Sequence, residues 1–188
     1  VDSRFPGFDG ELVDGLPKGW RNGTLGDIIS FKNGKTPPER VDNGGYPVYG
    51  ANGIIGFSNY FNADNYVTVV GRVGSFCGST YFSQTKSWIT DNAIIASPKI
   101  SSGIFTFIRL RNLNLNSYRG GSGQPLINQS ILSGIKTIVP NELFLNLFEE
   151  TLLPIYKKIE LNEKQISILI QLRDTILPKL MSGKIRVV

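Results

Sequence analysis

Between Asn141 and Met181 the chain contains no glycine, although 21 glycines are spread through its 188 residues. Leu, Ile, Glu and Lys dominate that stretch. It therefore reads as helix, and a long one. Asn141, directly after Pro140, suits an N-cap, and Glu142 places an acid in the first turn. Pro154 lacks a backbone N–H, so it should kink the segment or open a second helix. From Pro154 to about Lys179, Ile155, Ile159, Asn162, Ile166 and Leu169 follow the 4-3-4-3 spacing of a coiled-coil seam. Leu172, Ile176 and Leu180 continue it after a one-residue shift. Such a helix has roughly 26 residues and a length of ~39 Å. Two fates are open for its apolar stripe. It packs on another helix, from a second copy or from a further part of its own chain, or it folds back onto its own domain as core. In the first case Asn162 costs stability and fixes register.

The preceding region is different. Residues 1–18 are punctuated by Gly7, Gly10, Gly15, Pro6 and Pro17 and read as a linker. Residues 19–140 are rich in Gly, Asn, Ser and Tyr. Short apolar runs bounded by turn residues (Val67–Val70, Thr80–Phe82, Ala93–Ala96 and Ile135–Val139) read as strands. Leu25–Phe31 and Phe105–Leu110 are ambiguous between helix and strand. The expected fold is α+β: a twisted, mostly antiparallel sheet with short helices and long loops, followed by a long C-terminal coiled-coil helix within residues 141–188. The chain begins with Val1, without a visible signal peptide, and reads as a piece of a longer polypeptide.

Composition removes several classes of chemistry. There is one cysteine, Cys77, and no histidine. That excludes an internal disulfide, a Cys/His zinc site and histidine-dependent nucleophilic catalysis. The single thiol fits a reducing cytoplasm. Asn33-Gly-Lys-Thr36 resembles the end of a phosphate loop, but Ile29 stands where the first glycine belongs. No glycine fingerprint of a dinucleotide fold is present. No apolar run approaches the ~20 residues of a membrane span. The charge is concentrated: residues 16–140 hold twelve basic and five acidic residues, within a net +5 for the chain. A polyanion is an expected partner of that region.

Several motifs together resemble a known family. Val1-Asp-Ser, Leu16-Pro-Lys-Gly-Trp20 and Thr24-Leu-Gly-Asp27 look like the joint between the halves of type I restriction-modification specificity subunits. Tyr46-Pro-Val-Tyr-Gly-Ala-Asn-Gly-Ile-Ile-Gly56 resembles the Gly-rich turn of their target-recognition domains. Gly121-Ser-Gly-Gln-Pro-Leu-Ile-Asn128 and Ile135-Lys-Thr-Ile-Val-Pro140 resemble the end of that domain. Leu172-Arg-Asp-Thr-Ile-Leu-Pro-Lys-Leu-Met-Ser-Gly-Lys-Ile-Arg-Val187 resembles the family's C-terminal signature. A complete subunit has two such halves, and the joint-like start favours a C-terminal half here. The resemblance implies a non-catalytic specificity subunit of a type I restriction endonuclease and adenine-DNA methyltransferase complex. It would read one half of a bipartite double-stranded DNA site. Spacer helices would pair antiparallel, and methyltransferase and restriction subunits would dock. No cofactor is expected in this chain; S-adenosylmethionine, ATP and magnesium would belong to the partners. Two other readings stay open: the recognition part of a single-chain DNA methyltransferase, and a coiled-coil interaction module that binds no DNA.

Base-reading residues differ among members of such a family, so the candidates come from side-chain chemistry. Lys32, Lys35 and Arg40 flank the stiff Thr36-Pro-Pro38 loop and suit phosphate contact, or a solvated surface. Asn52 sits among Gly50, Gly53 and Gly56, where tight turns with positive φ are expected and backbone amides could approach phosphates. Arg72 lies at a turn between strands, where it could reach a guanine edge or pair with an acid. Lys86 follows another strand end and suits phosphate; neighbouring Trp88 reads as core rather than a stacking platform. Tyr118-Arg-Gly-Gly-Ser-Gly-Gln124 joins a Gly-rich loop to Arg119, Ser122 and Gln124, and is the favoured base-reading segment, unless it is only a connection. Ile155, Ile159, Asn162, Ile166, Leu169, Leu172 and Ile176 are the helix-pairing candidates, for self-association or for pairing with the other half.

Overall fold

The computed structural model describes residues 11–42, 44–100, 102–120 and 125–185. The chain divides into two compact units, Val1–Glu149 and Glu150–Val188.

In chain order the elements are β1 (Leu12–Val13), β2 (Leu16–Pro17), β3 (Arg21–Thr24), α1 (Leu25–Ile28), β4 (Ile29–Asn33), β5 (Tyr46–Gly50), β6 (Gly53–Ser58), β7 (Val67–Gly71), β8 (Thr80–Ser83), β9 (Trp88–Ile89), β10 (Ala93–Pro98), α2 (Gly103–Arg111), α3 (Gln129–Gly134), β11 (Lys136–Val139) and α4 (Glu142–Met181). The fold is α+β with antiparallel sheets and a long C-terminal helix. Instead of one sheet there are several. A four-stranded antiparallel sheet runs β4-β10-β7-β8, β6-β5-β9 form a second with a parallel β5–β9 pair, and β3 pairs with β11. A two-stranded hairpin, β1–β2, lies within the stretch expected as linker.

The runs in β7 and β10 do not alternate apolar with polar because both faces of their sheet are covered. Val70, Ile94 and Ala96 join Leu25, Ile28, Leu110, Leu132 and Ile135 in the core on one face. Val67, Val69, Ala93 and Ile95 join Tyr49, Ala63 and Ile89 on the other. Burying a large aliphatic side chain contributes roughly 1.5–3 kcal/mol, so these two strands hold much of the stability.

Both ambiguous segments resolve through their ends. Leu25–Phe31 is helix and then strand: one turn of α1 passes straight into β4 at Ile29. The Asp27 carboxylate accepts the Thr24 backbone N–H at 2.8 Å, closing the first turn, and Arg21 stands 3.4 Å from the same oxygen. The hydrogen bond from Thr24, aided by Arg21, holds the Asp27 carboxyl below its ordinary pKa. Phe105–Leu110 lies in α2, where Ser102 Oγ accepts the Phe105 N–H at 3.0 Å as an N-cap and Ile104, Phe107 and Leu110 form the buried stripe.

Asn141 caps α4 as expected, accepting the Phe144 N–H at 2.8 Å, and its amide also donates to the Lys18 carbonyl at 3.2 Å. Trp20 packs on Phe144 with centroids 4.9 Å apart, and Phe148 meets Phe105 edge-on at 5.4 Å. The first two turns of α4 are thus tied to the domain by hydrogen bonds and by rings.

No second helix opens at Pro154. α4 runs through Pro154 and Pro178 as one element of 40 residues, so the helix begins at Glu142 and not near residue 154. The missing N–H groups leave the carbonyls one turn earlier without their helical partner, a cost the flanking turns absorb. Among the described residues of 150–185 none is buried, and every residue from Leu161 to Thr175 is exposed.

Two outcomes test these ties. Asn141→Ala lowers the stability of the folded chain by about 1 kcal/mol, read as a fall in the urea midpoint at unchanged slope. Because the Asp27 pKa is depressed in the fold, its contribution is present above the unfolded carboxylate pKa and is lost as pH falls through the folded value. Asp27→Asn should therefore be less stable at neutral pH and should lose less on acidification below pH ~4 than the parent, in urea melts across a pH series.

Candidate nucleic-acid interface

The pairing of the four-stranded sheet collects chain segments at one end. Asn33 lies opposite Ile94, Gly71 opposite Ala93, and Val70 opposite Thr80, so β4 and β7 finish where β8 and β10 begin. Beyond that end the backbones remain tied. Gly34 N–H donates to the Ala93 carbonyl and Lys35 N–H to the Ile89 carbonyl, both at 3.0 Å. Arg72 N–H donates to the Asn92 carbonyl at 2.9 Å. Ile127 N–H donates to the Arg72 carbonyl at 3.0 Å, and Leu126 exchanges two hydrogen bonds with Gly120, next to Arg119. The tip of the β5–β6 hairpin arrives at the same place: a Cβ on Gly71 would stand 2.8 Å from the Ala51 carbonyl oxygen and would strike that of Phe76. A Cβ on Gly34 would likewise strike the Thr90 carbonyl. Close backbone approach therefore requires glycine at both positions.

Lys35, Asn52, Arg72 and Arg119 are thereby brought to one end of the sheet. Lys35, Asn52 and Arg119 are exposed. Lys32 is exposed on β4, opposite Ile95, one position inside that end. Arg72 is half-buried and engaged: its Nη1 stands 3.4 Å from the Asp91 carbonyl, while its Nε is buried with no partner among the described residues. The Cys77 thiol donates to the Arg72 carbonyl at 3.3 Å. Burial pushes that thiol's pKa up, against a hydrogen bond from Ile127 and the charge of Arg119.

Arg40 is held on β6, and Lys86 lies elsewhere. Arg40 Nη1 donates to the Ile55 carbonyl at 3.1 Å, along β6. Lys86 Nζ sits 4.4 Å from the centroid of Phe61, which packs on Tyr46 at 5.0 Å. Tyr46 begins β5, whereas the hairpin tip follows Gly50 at its end, so strand geometry separates the two by ~13 Å. Ser122 and Gln124 lie outside the described residues. Gly53 and Gly56 take the positive φ expected of the Gly-rich turn. Trp88 is half-buried, its indole N–H 3.4 Å from the Lys35 carbonyl, which makes it a brace for the loop base.

Sequence reading missed a cleft beside this end. Asn52, Gly53, Ile54, Tyr81, Phe107 and Arg111 border an open depression of about 590 Å³. Tyr81 Oη donates to Asn52 Oδ1 at 3.3 Å. Phe107 stacks on Phe82 with centroids 5.0 Å apart, and the Arg111 guanidinium lies 5.6 Å from the Phe107 ring. Arg111 is exposed and forms no hydrogen bond or ion pair among the described residues. The available signal was helical: in α2, Phe107 and Arg111 are four residues apart and share a face. A second basic cleft, bordered by Arg109, Lys136 and Asn22, is more occupied, because Arg109 spends Nε and Nη2 on Thr137 Oγ1 at 3.0 and 2.6 Å. Among the described residues no group of three or more His, Cys, Asp or Glu could hold a metal, and no helix is long and apolar enough to cross a membrane.

On α4 the seam residues face solvent. Ile155, Ile159, Ile166, Leu169 and Leu172 are each 41–62 % exposed. Asn162 between them is exposed as well, and Ile176 is partly covered. Leu169, Leu172, Arg173, Ile176, Leu177 and Leu180 line a shallow groove that is almost entirely apolar.

Residues 17–171 match the type I restriction modification DNA specificity domain. Curated relatives include the type I restriction enzyme EcoprrI specificity subunit of Escherichia coli, 28 % identical over 71 % of this chain and 34 % of its own length. The MjaIX specificity subunit of Methanocaldococcus jannaschii is 24 % identical over 96 % of this chain and 48 % of its own. Among solved structures, the S subunit of the type I restriction-modification system of M. genitalium superposes with a TM-score of 0.70 at 18 % identity, covering 92 % of this chain and 48 % of that one. The chain spans a third to a half of the length of these relatives. With the match running through most of its residues, the chain belongs to the family of type I restriction-modification DNA specificity domains.

Proposed function

We propose that this chain reads one part of a split double-stranded DNA site and does no covalent chemistry itself. Residues 19–140 serve as the recognition domain and residues 141–188 as a helical spacer. The observation that carries the reading is the gathering of Lys35, Asn52, Arg72 and Arg119 at one end of a sheet, from segments far apart in sequence. Donor-rich side chains on backbone-tied loops are what base and phosphate contact require. Lys32 and Lys35 meet phosphates, while Arg119, with Ser122 and Gln124, meets base edges. Arg72, held by the Asp91 carbonyl, stiffens the base of that loop and offers the remaining edge of its guanidinium. Arg40, bonded to Ile55 on β6, and Lys86, farther along the β5–β6 hairpin, extend the cationic surface for backbone contact.

The seam of α4 takes a partner helix, from another copy or from the other half of a longer chain. Methyltransferase and restriction subunits assemble around such a module, and S-adenosylmethionine, ATP and magnesium act on those subunits. A cytoplasmic location accords with the free Cys77. The reading of a bare interaction module is supported by the exposed seam alone and leaves the sheet-end cations unexplained.

Duplex binding should weaken steeply with salt. Lys35→Ala should weaken all sequences alike and lower the slope of log affinity against log salt by about one, whereas Arg119→Ala and Gln124→Ala should change sequence preference by ~1–3 kcal/mol per base pair. An equal loss across sequences for all three substitutions removes the base-reading assignment. Sedimentation should show concentration-dependent self-association, and Ile166→Lys with Leu169→Lys should abolish it at an unchanged thermal transition of the recognition domain. A chain that stays monomeric at high concentration leaves only pairing with another half.

A further inference from the structure

We propose that the cleft between the β5–β6 hairpin tip and the end of α2 reads a guanine, with Arg111 and an Asn52 oriented by Tyr81 as its specificity-determining side chains. This rests on the DNA-reading function proposed above and deepens it. In the major groove guanine offers two acceptors, whereas adenine offers one acceptor and one donor. An asparagine reads adenine by accepting through Oδ1 while donating through Nδ2. Here Tyr81 Oη already donates to Asn52 Oδ1, at 3.3 Å. That bond turns the oxygen toward the cleft wall and leaves the Nδ2 hydrogens as the side of the amide that meets a ligand. Tyr81 is thus a positioning residue.

Arg111 adds donors only, since a guanidinium has no acceptor. It has no hydrogen-bond or ion-pair partner among the described residues, and its guanidinium lies over the ring of Phe107, itself stacked on Phe82. The stacked support limits the rotamer freedom that an arginine loses on contact. None of the residues that border the cleft is acidic. Donors therefore converge from both sides with no acceptor among the charged groups. The amino group of adenine or cytosine would be left facing other donors, and an unpaired buried donor is what a site of this type rejects. Guanine, with N7 and O6 side by side, satisfies the arrangement.

The test is selection of binding sites from a random duplex pool by the full-length subunit with its methyltransferase partner, comparing the parent with Arg111→Ala and Tyr81→Phe. The parent should enrich guanine at one position. Arg111→Ala should lose that preference by ~10-fold or more, with other positions retained and the salt slope unchanged. Tyr81→Phe, which keeps the ring, should admit adenine at the position that Asn52 meets. Uniform weakening by Arg111→Ala with a salt slope reduced by about one would assign Arg111 to phosphate and overturn the proposal, as would unaltered selection by both variants. A parent pool with no enriched sequence would bring down the DNA-reading function first, and this inference with it.

Discussion

β7 and the first four residues of β10 are buried on both faces, and the placement of the charged groups in the first unit depends on that. Val69, Val70, Ile94 and Ile95 leave no face of the central strands open to water. Charged side chains can leave this sheet only at its ends or from its outer strands. The loops that carry them must in turn be fastened to a rigid edge, or the entropy of ordering a long cation would outweigh its contact. Hydrogen bonds from Gly34, Lys35 and Arg72 to the carbonyls around β9 and β10 supply that fastening. The glycines at 34 and 71 let the backbones come close enough to make it.

The long helix meets a different constraint. Its first two turns are tied by Asn141, Trp20 and Phe148 within the first unit, and its later turns carry apolar side chains that are exposed or only partly covered among the described residues. Large exposed aliphatic groups at heptad spacing cost solubility unless another helix covers them. The Leu16–Trp20 segment takes part in that anchoring. The Lys18 carbonyl accepts from the Asn141 amide, and a Cβ on Gly19 would stand 3.3 Å from that amide nitrogen and press on the cap.

How much of this was legible depended on range. The strands at 67–71, 80–83, 93–98 and 136–139 and the Asn141 cap are local signals, and they were readable. Leu25–Phe31 resisted a single assignment because it holds two elements, joined where the Asp27 capping contact ends. Pro154 misled, since local chemistry forbids one hydrogen bond but does not decide whether a helix continues around it. The placement of Lys35 and Arg72 at one end of the sheet, and the contact of Asn52 with Tyr81, depend on strand register, which a sequence does not display. The same limit hid the separation of Lys86 from the sheet end. Arg111 escaped notice because its segment looked equally like a strand, and only the helical phase puts it beside Phe107.

The two hydrogen bonds between Gly120 and Leu126 have an evolutionary consequence. They form a clasp: the chain leaves the scaffold and returns to it at one point, and Leu126 is also bridged to Val73. Both bonds are made by main-chain groups, so this closure does not depend on which side chains stand at its two ends. A lineage can therefore exchange the side chain at Leu126 without removing the main-chain groups that make the fastening.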